Sequence, residues 1–113
     1  MHCLISFPSS AMSHIADADL PAVTDSAHAV IREAKAAGVY VFGGGIDEAV
    51  SPVLVSASGA VSAGSYGETR ELSGGFCVLK VESRAEAEAW ASKIAAACRC
   101  AQELRQFMFD PES

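Results

Sequence analysis

The stretch FCVLKV, Phe76 to Val81, decides the fold, together with the segment that follows it. Its apolar residues fall on both faces of an extended chain, which is typical of a central strand covered on both sides. Ser83 and Glu86 then show the spacing of a capping box, which predicts a helix from about Arg84 to Ala97. The apolar stripe of this helix consists of Ala87, Trp90, Ala91, Ile94 and Cys98. The stretch therefore predicts a strand that runs directly into a helix.

A second unit of the same kind lies at the amino terminus. Cys3 to Phe7 alternates with the period of a strand, and residues 8–19 are small and polar, as in a loop. From Ala22 to Ala37 apolar residues recur at spacings of three and four, which predicts an amphipathic helix. Gly38 provides the expected stop of that helix.

Further strands are predicted between and after these two units. Val39 to Phe42 is an apolar, β-rich run that ends at the glycines Gly43 to Gly45. Val53 to Val55 and Ala60 to Ser62 are predicted to pair as a hairpin. The run Ala101 to Phe109 is interpreted as a last strand, with a helix as the alternative because of its charged residues.

The resulting order, β-α-β-β-β-β-α-β, predicts an α+β protein with a ferredoxin-like sandwich and an additional hairpin. We expect residues 1–113 to form one domain, because a chain of this length has room for only one. The helices would cover one face of the sheet, whereas the central strand is apolar on both. A second copy covers the other face most economically by packing sheet on sheet, so we expect a homodimer.

Composition and charge narrow the classes of partner. Half of the residues are apolar and 19% are charged, which predicts a folded globule rather than a disordered chain. Eight Lys and Arg stand against 14 Asp and Glu, giving a net charge of −6. Such a chain is repelled by nucleic acid and by anionic membranes, so neither is an expected partner. The amino terminus has no basic region and no stretch is long enough to span a membrane, which predicts a cytoplasmic protein.

The four cysteines, Cys3, Cys77, Cys98 and Cys100, are interpreted as free thiols in the core. Cys98 and Cys100 have one residue between them, whereas structural zinc sites typically have two to four and a second pair of ligands. We therefore expect no metal site, and nothing in the sequence indicates a cofactor.

Two segments resemble the YCII-related proteins of the DGPF branch. The first is AAGVYVFGGGI, Ala36 to Ile46, and the second is GSYGETRELSGGF, Gly64 to Phe76. The branch has a pattern close to T-D-G-P-F-x-E-T-K-E-x-x-G-G-F. The resemblance in element order extends over nearly the whole chain and implies a dimeric α+β-barrel fold. It implies little about the reaction, because one fold hosts many activities.

The signature of this chain departs from that pattern at its Asp and its Pro. Glu68 with Thr69 and the Gly74-Gly75-Phe76 triplet match it, and Gly64 with the aromatic Tyr66 is retained. Ala63 and Ser65 stand where the branch has Asp and Pro.

His28 is the candidate general base. It lies at the border of the apolar stripe of the first predicted helix, from which it can face a cleft between helix and sheet. It also matches the histidine that YCII-like proteins carry in this helix, where a His paired with an Asp has been proposed to act in acid–base chemistry. Asp47 is the partner we predict, with Glu48 as the competing choice. The alternative is a histidine on a helix flank that only hydrogen-bonds locally.

The glycine run suggests a phosphate loop but does not have the pattern of one. It lacks the Lys-Ser/Thr of a P-loop, and no basic residue occurs between Ala36 and Thr69. A bulge or a close approach of two backbones explains the glycines better. In either case we expect Gly44 and Gly45 at the mouth of a ligand pocket.

Tyr66, Glu68 and Thr69 are the remaining candidate ligand-binding residues. They occupy a glycine-flanked segment that can expose polar groups over the sheet. The alternative is that Glu68 and Thr69 satisfy backbone groups of their own irregular loop.

Two functional hypotheses follow. The first is a small-molecule lyase or isomerase with His28 as base and Asp47 as its orienting group. The second is a non-catalytic dimeric module that binds a small ligand or acts in regulation. A usable His–carboxylate pair favours the enzyme, and Ala63 in place of the Asp favours the module.

Overall fold

The fold is an α+β sandwich, described by a computed structural model that covers Met1 to Ser113. Short 3₁₀ turns lie at Ser9–Met12, Asp17–Asp19 and Gly67–Thr69. The strands and helices, in chain order, are β1 (His2–Phe7), α1 (Leu20–Ala36), β2 (Tyr40–Gly45), β3 (Val53–Val55), β4 (Val61–Ala63), β5 (Gly75–Lys80), α2 (Arg84–Cys98) and β6 (Glu103–Gln106).

The main sheet has four antiparallel strands in the order β2-β5-β1-β6, and β3 and β4 form a separate two-stranded hairpin. This arrangement confirms the predicted element order and the ferredoxin-like α+β class. Glu103–Gln106 pairs with β1, so the interpretation of the terminal run as a strand is confirmed and its helical alternative is wrong.

The core lies between the sheet and the two helices. Cys3, Ile5 and Leu79 are almost completely buried, and they pack in one cluster with Ala34 of α1 and Ala87 of α2. Because β5 pairs with both β1 and β2, it is a central strand, as its two-sided apolar pattern predicts. All four cysteines are free thiols that are buried or half-buried.

The other face of the sheet carries no helix. Cys3 lies opposite Leu79 in the pairing of β1 with β5, so the next pair, Leu4 and Val78, points to the opposite face. Phe76 shares that face and is half-buried. We call this the open face, and it is where the candidate site lies.

The glycine run corrects one prediction. The sequence predicts that Gly43 to Gly45 end the second strand, whereas β2 continues through Gly45. A bulge between Tyr40 and Phe42 shifts the register, and a Cβ at Gly43 would lie 3.0 Å from the Phe76 carbonyl oxygen and 3.0 Å from the Tyr40 hydroxyl. The predicted bulge and close approach of two backbones are therefore confirmed, although the glycines continue the strand instead of ending it.

Candidate functional site

A cavity of about 480 Å³ lies on the open face, under the loop that leads into β5. Its floor is formed by Leu4 and Ser6 of β1 and by Phe76 of β5. Its walls are formed by Glu103 and Arg105 of β6 on one side and, on the other, by the loop residues Glu68, Thr69, Glu71, Leu72 and Ser73. We call this the sheet cavity. It combines an apolar floor with charged walls, as small-molecule sites commonly do.

The charges around the sheet cavity are unequal. Glu68, Glu71 and Glu103 provide three carboxylates, and Arg105 provides one guanidinium. The Arg105 Nη2 donates to the Glu103 Oε2 at 2.7 Å. Because the charges of Arg105 and Glu103 offset each other, the loop carboxylates of Glu68 and Glu71 leave the cavity lining with an excess of negative charge.

One end of the loop is fixed by a small hydrogen-bond network. The Ser9 backbone N–H donates to the Ser73 Oγ at 3.2 Å, and the Ser9 hydroxyl donates to the Glu48 Oε1 at 3.1 Å. The Ser73 hydroxyl donates to the Glu71 carbonyl oxygen at 3.2 Å. Glu48, the competing carboxylate of the sequence analysis, is thus tied to the edge of the sheet cavity.

His28 and Asp47 lie apart from this site. His28 is exposed on α1, a helix that packs on the face opposite to the cavity, and it makes no hydrogen bond. Asp47 is exposed after β2, and its Oδ1 accepts from the Ala49 backbone N–H at 3.0 Å. Within one chain, His28 forms no hydrogen bond with Asp47 or with Glu48.

Of the predicted ligand-binding residues, Glu68 and Thr69 line the sheet cavity. The Thr69 hydroxyl donates to the Tyr66 carbonyl oxygen at 3.3 Å, so it serves its own loop, whereas the Glu68 carboxylate has no partner in the chain. Tyr66 is 70% exposed and does not line the cavity. Gly44 and Gly45 pair with Phe76 and Gly75 and also lie outside the cavity lining.

Sequence reasoning missed most of the cavity lining, including Ser6, Phe76, Glu103 and Arg105. Ser6 lies two residues after Leu4 in the same strand, so the alternation of side chains places both on one face of the sheet. That Ser6 lies opposite Phe76 on one side and Glu103 on the other depends on which strands are neighbours. No local signal reports that arrangement.

A second cavity of about 800 Å³ lies at the other end of the open face, beside the carboxyl-terminal segment Phe107 to Ser113. His2, Val78 and Lys80 of the sheet line it. Met108 and Phe109 of the segment are more than 90% exposed. The open face thus presents two depressions, and the paired residues Leu4 and Val78, which lie where the two meet, are called the apolar strip.

The thiols are held in the protonated form. Burial raises the pKa of the Cys77 thiol to about 11, and it also raises the pKa of Cys3, Cys98 and Cys100. Because the thiolate is the nucleophilic form, none of these residues has the environment of a reactive cysteine. No group of three or more His, Cys, Asp and Glu side chains converges as metal ligands would. Neither helix combines the length and apolar character needed to cross a membrane.

The sheet order, the two helices on one face and the cavity on the other define a ferredoxin-like α+β protein with a candidate small-molecule site. The family model of the YCII-related domain matches residues 14–106. The chain therefore belongs to the YCII-related family.

Among solved structures, the chain is similar to 5-chloro-2-hydroxyhydroquinone dehydrochlorinase (TftG) from Burkholderia phenoliruptrix AC1100, in complex with 2,5-dihydroxybenzoquinone. The TM-score is 0.52 at 14% identity, and the match covers 99% of this chain and 98% of the other. At this identity the likeness concerns the fold. A comparison with curated protein sequences finds no match.

Proposed function

We propose that this protein converts a small, single-ring molecule by acid–base chemistry, as a lyase or isomerase, in the sheet cavity. The observation that carries the proposal is the meeting of an apolar floor, the free carboxylate of Glu68 and the Arg105–Glu103 pair in one cavity. Its volume of about 480 Å³ falls in the range of small-molecule sites, about 300 to 1,000 Å³. Such a reaction requires no cofactor.

Glu68 is the acid or base in the form of the proposal that we favour. Glu68 is exposed, as His28 is, but it lines the cavity and has no hydrogen-bond or ion-pair partner in the chain. A positioned carboxylate contributes about 10²- to 10⁴-fold to a proton transfer. Arg105, which donates to Glu103 on the opposite wall, can donate its remaining N–H groups to an oxygen of the ring.

The competing form keeps His28 as the base, oriented by Asp47 or Glu48. Since His28 is exposed on α1, this form requires a rearrangement or a second copy to bring a carboxylate and the substrate to it. The two forms differ in which variant loses activity.

The dehydrochlorinase supports the substrate class. Its name describes an enzyme that acts on a chlorinated hydroxyhydroquinone, and its structure was solved with a dihydroxybenzoquinone. Both are single six-membered rings with oxygen substituents. A molecule of that size fits the sheet cavity.

The proposal includes a homodimer in the cytoplasm. A second copy packed on the open face would cover its apolar strip and enclose the sheet cavity. Four free thiols are consistent with a reducing compartment.

The test is a turnover screen with hydroxylated and halogenated single-ring compounds and small keto acids, read by mass spectrometry. We expect Glu68→Gln to lower the turnover of any hit by about 100-fold or more, and His28→Ala to leave it within twofold. The reverse pattern would support the His28 form.

The alternative function is a non-catalytic dimeric module that binds a small ligand or acts in regulation. The departure at Ala63 from the family signature favours it. If ring compounds bind the cavity in NMR titrations but none is converted, the binding module is the better description of this protein than the enzyme.

A further inference from the structure

Ser6 is a buried polar residue whose hydroxyl is unused by the protein. Its side chain is on the floor of the sheet cavity, and the residue is only 6% exposed. Its hydroxyl makes no hydrogen bond within the chain. Every side-chain N or O atom that is fully inaccessible does have a partner, so the Ser6 Oγ is not fully inaccessible. The Ser6 Oγ therefore keeps its small exposure toward the cavity. A nearly buried hydroxyl whose only accessible side faces a cavity is placed to form a hydrogen bond with a water or ligand there.

The surroundings of Ser6 suit one side of an aromatic ring. Ser6 lies opposite Phe76 on β5 and opposite Glu103 on β6, so the three side chains share the open face. Leu4 lies on the same face, two residues away. A ring that stacks against Phe76 and Leu4 would place a substituent oxygen at the Ser6 hydroxyl. The hydroxyl can donate to that oxygen or accept from it.

The walls discriminate against ligands that carry a negative charge. Arg105 is engaged by Glu103 at 2.7 Å, which leaves the carboxylates of Glu68 and Glu71 uncompensated at the cavity. A carboxylate on the ring would be brought close to both of these charges. Because Glu68 and Glu71 are exposed, this repulsion has the modest size of an interaction between charges near the protein surface.

From these observations we infer that Ser6 is a ligand-binding residue that selects a neutral, hydroxylated ring, and that Glu68 and Glu71 exclude its carboxylated analogues. The inference rests on the proposed function, because it concerns the same cavity. It narrows the substrate class, since it removes keto acids and benzoates from the candidates.

The experiment is a titration of the ¹⁵N-labelled protein, followed by NMR, with two probes that differ by one group. Hydroquinone is the neutral probe, and 2,5-dihydroxybenzoate is the same ring with a carboxylate. We expect hydroquinone to shift the amides of Ser6 and Phe76 and to bind at least about fivefold more tightly than the acid.

Variants separate the two parts of the inference. Ser6→Ala should weaken hydroquinone about five- to tenfold, the usual effect of one hydrogen bond. The double variant Glu68→Gln and Glu71→Gln should reduce the preference over the acid to less than about twofold. Ser92→Ala and Glu88→Gln, at exposed positions of α2, are the matched controls and should change neither affinity.

A third probe tests Ser6 in the wild-type protein, whatever the stability of the variants. 1,4-Dimethoxybenzene has the same ring but no hydroxyl proton, and we expect it to bind more weakly than hydroquinone, because the Ser6 hydroxyl can donate to its ether oxygen but cannot accept from it. Equal binding of hydroquinone and its acid, with Ser6→Ala neutral, would overturn the inference and leave the cavity as a ligand site. Absence of any shift at the cavity with all three probes would overturn the proposed function as well.

Discussion

Gly74 and Gly75 lie where the start of β5 runs against the end of β1, and neither leaves room for a side chain. Gly74 has φ +78°, and a Cβ there would overlap the Phe7 carbonyl oxygen and lie 2.8 Å from the Ser9 nitrogen. At Gly75 a Cβ would lie 2.7 Å from the Phe7 ring. A side chain at Gly74 would meet backbone atoms, whereas one at Gly75 would meet the Phe7 side chain, which can move. Substitution should therefore destabilise the protein more at Gly74 than at Gly75.

We predict that Gly74→Ala destabilises the protein more than Gly75→Val. The positive φ alone costs about 1–2 kcal/mol for a residue with a Cβ, and the overlap with the backbone of β1 adds to it. Gly75→Val should cost about 1–3 kcal/mol, because the Phe7 ring can move. Chemical denaturation of both variants measures the free energies of unfolding.

Gly59→Ala is the matched control for this pair. Gly59 has φ +88°, and a Cβ placed there would have no other atom within 4 Å, so this variant reports the effect of φ without an overlap. If Gly74→Ala costs no more than Gly59→Ala, the close approach of the two backbones is contradicted.

The raised pKa of Cys77 predicts how stability depends on alkaline pH. Burial raises this pKa from about 9 to about 11 in the folded chain. Between these values the unfolded chain loses a proton that the folded chain keeps, so the free energy of unfolding should fall as pH rises. Below about pH 9 the full stabilisation is present.

Urea denaturation at a series of pH values from 8 to 11, under reducing conditions, measures this dependence. Cys77→Val removes the titrating group, and its stability should fall less steeply over the same interval. Equal slopes for the wild type and the variant would show that Cys77 ionises as freely in the folded chain as in the unfolded one.

At the scale of elements, α2 shows how a helix start depends on two side chains. The Glu86 backbone N–H donates to the Ser83 Oγ at 3.1 Å, and the Glu82 backbone N–H donates to the Glu86 Oε2 at 2.9 Å. The first bond satisfies an amide group that the first turn of a helix leaves without a partner, and the second ties the residue before the cap to that turn. The box therefore fixes where β5 ends and α2 begins.

We predict that Ser83→Ala lowers the free energy of unfolding by about 1 kcal/mol, the usual effect of losing a helix cap. Thermal and chemical denaturation check the value. Ser92→Ala makes the same substitution at an exposed position inside α2 and should be neutral or slightly stabilising, because Ala is the better helix former. A Ser83→Ala protein as stable as the wild type would mean that the cap contributes nothing.

The whole molecule is more extended than a compact chain of its length. Its radius of gyration is 15.7 Å, against about 13 Å for a compact domain of this size. All residues of the β3–β4 hairpin are exposed, and Phe42 on the open face is 68% exposed. Apolar surface of this extent is typical of a chain that associates.

We predict a homodimer of about twice 11.7 kDa in which the open faces pack together. Val78→Asp places a charge at the centre of that face and should yield a folded monomer, because a buried, unpaired charge opposes association. Ala89→Asp, at an exposed position of α2, is the control and should remain dimeric. Sedimentation equilibrium at micromolar concentration measures both, and a monomeric wild-type chain would contradict the prediction.

Local pattern determined most of the secondary structure of this protein. The apolar residues of Phe76 to Val81 predicted a central strand, and the Ser83–Glu86 spacing predicted the start of α2 at Arg84, where the structure has it. These features could be predicted because helix caps and side-chain periodicity depend on residues only a few positions apart. The end of α2 lacks such a signal, since Arg99 adopts a left-handed φ of 59° where a glycine is more common.

Only the tertiary structure decided the candidate site. Ser6, Phe76 and Glu103 come from three strands that are distant in the chain, and they meet because β1 lies between β5 and β6. The sequence favours His28 as the general base for its place at the border of the apolar stripe, yet its helix packs on the other face. The chemistry of a residue and the face of the strand or helix on which it lies follow from the local sequence. Which strands become neighbours depends instead on which pairing buries the most apolar surface in the folded chain.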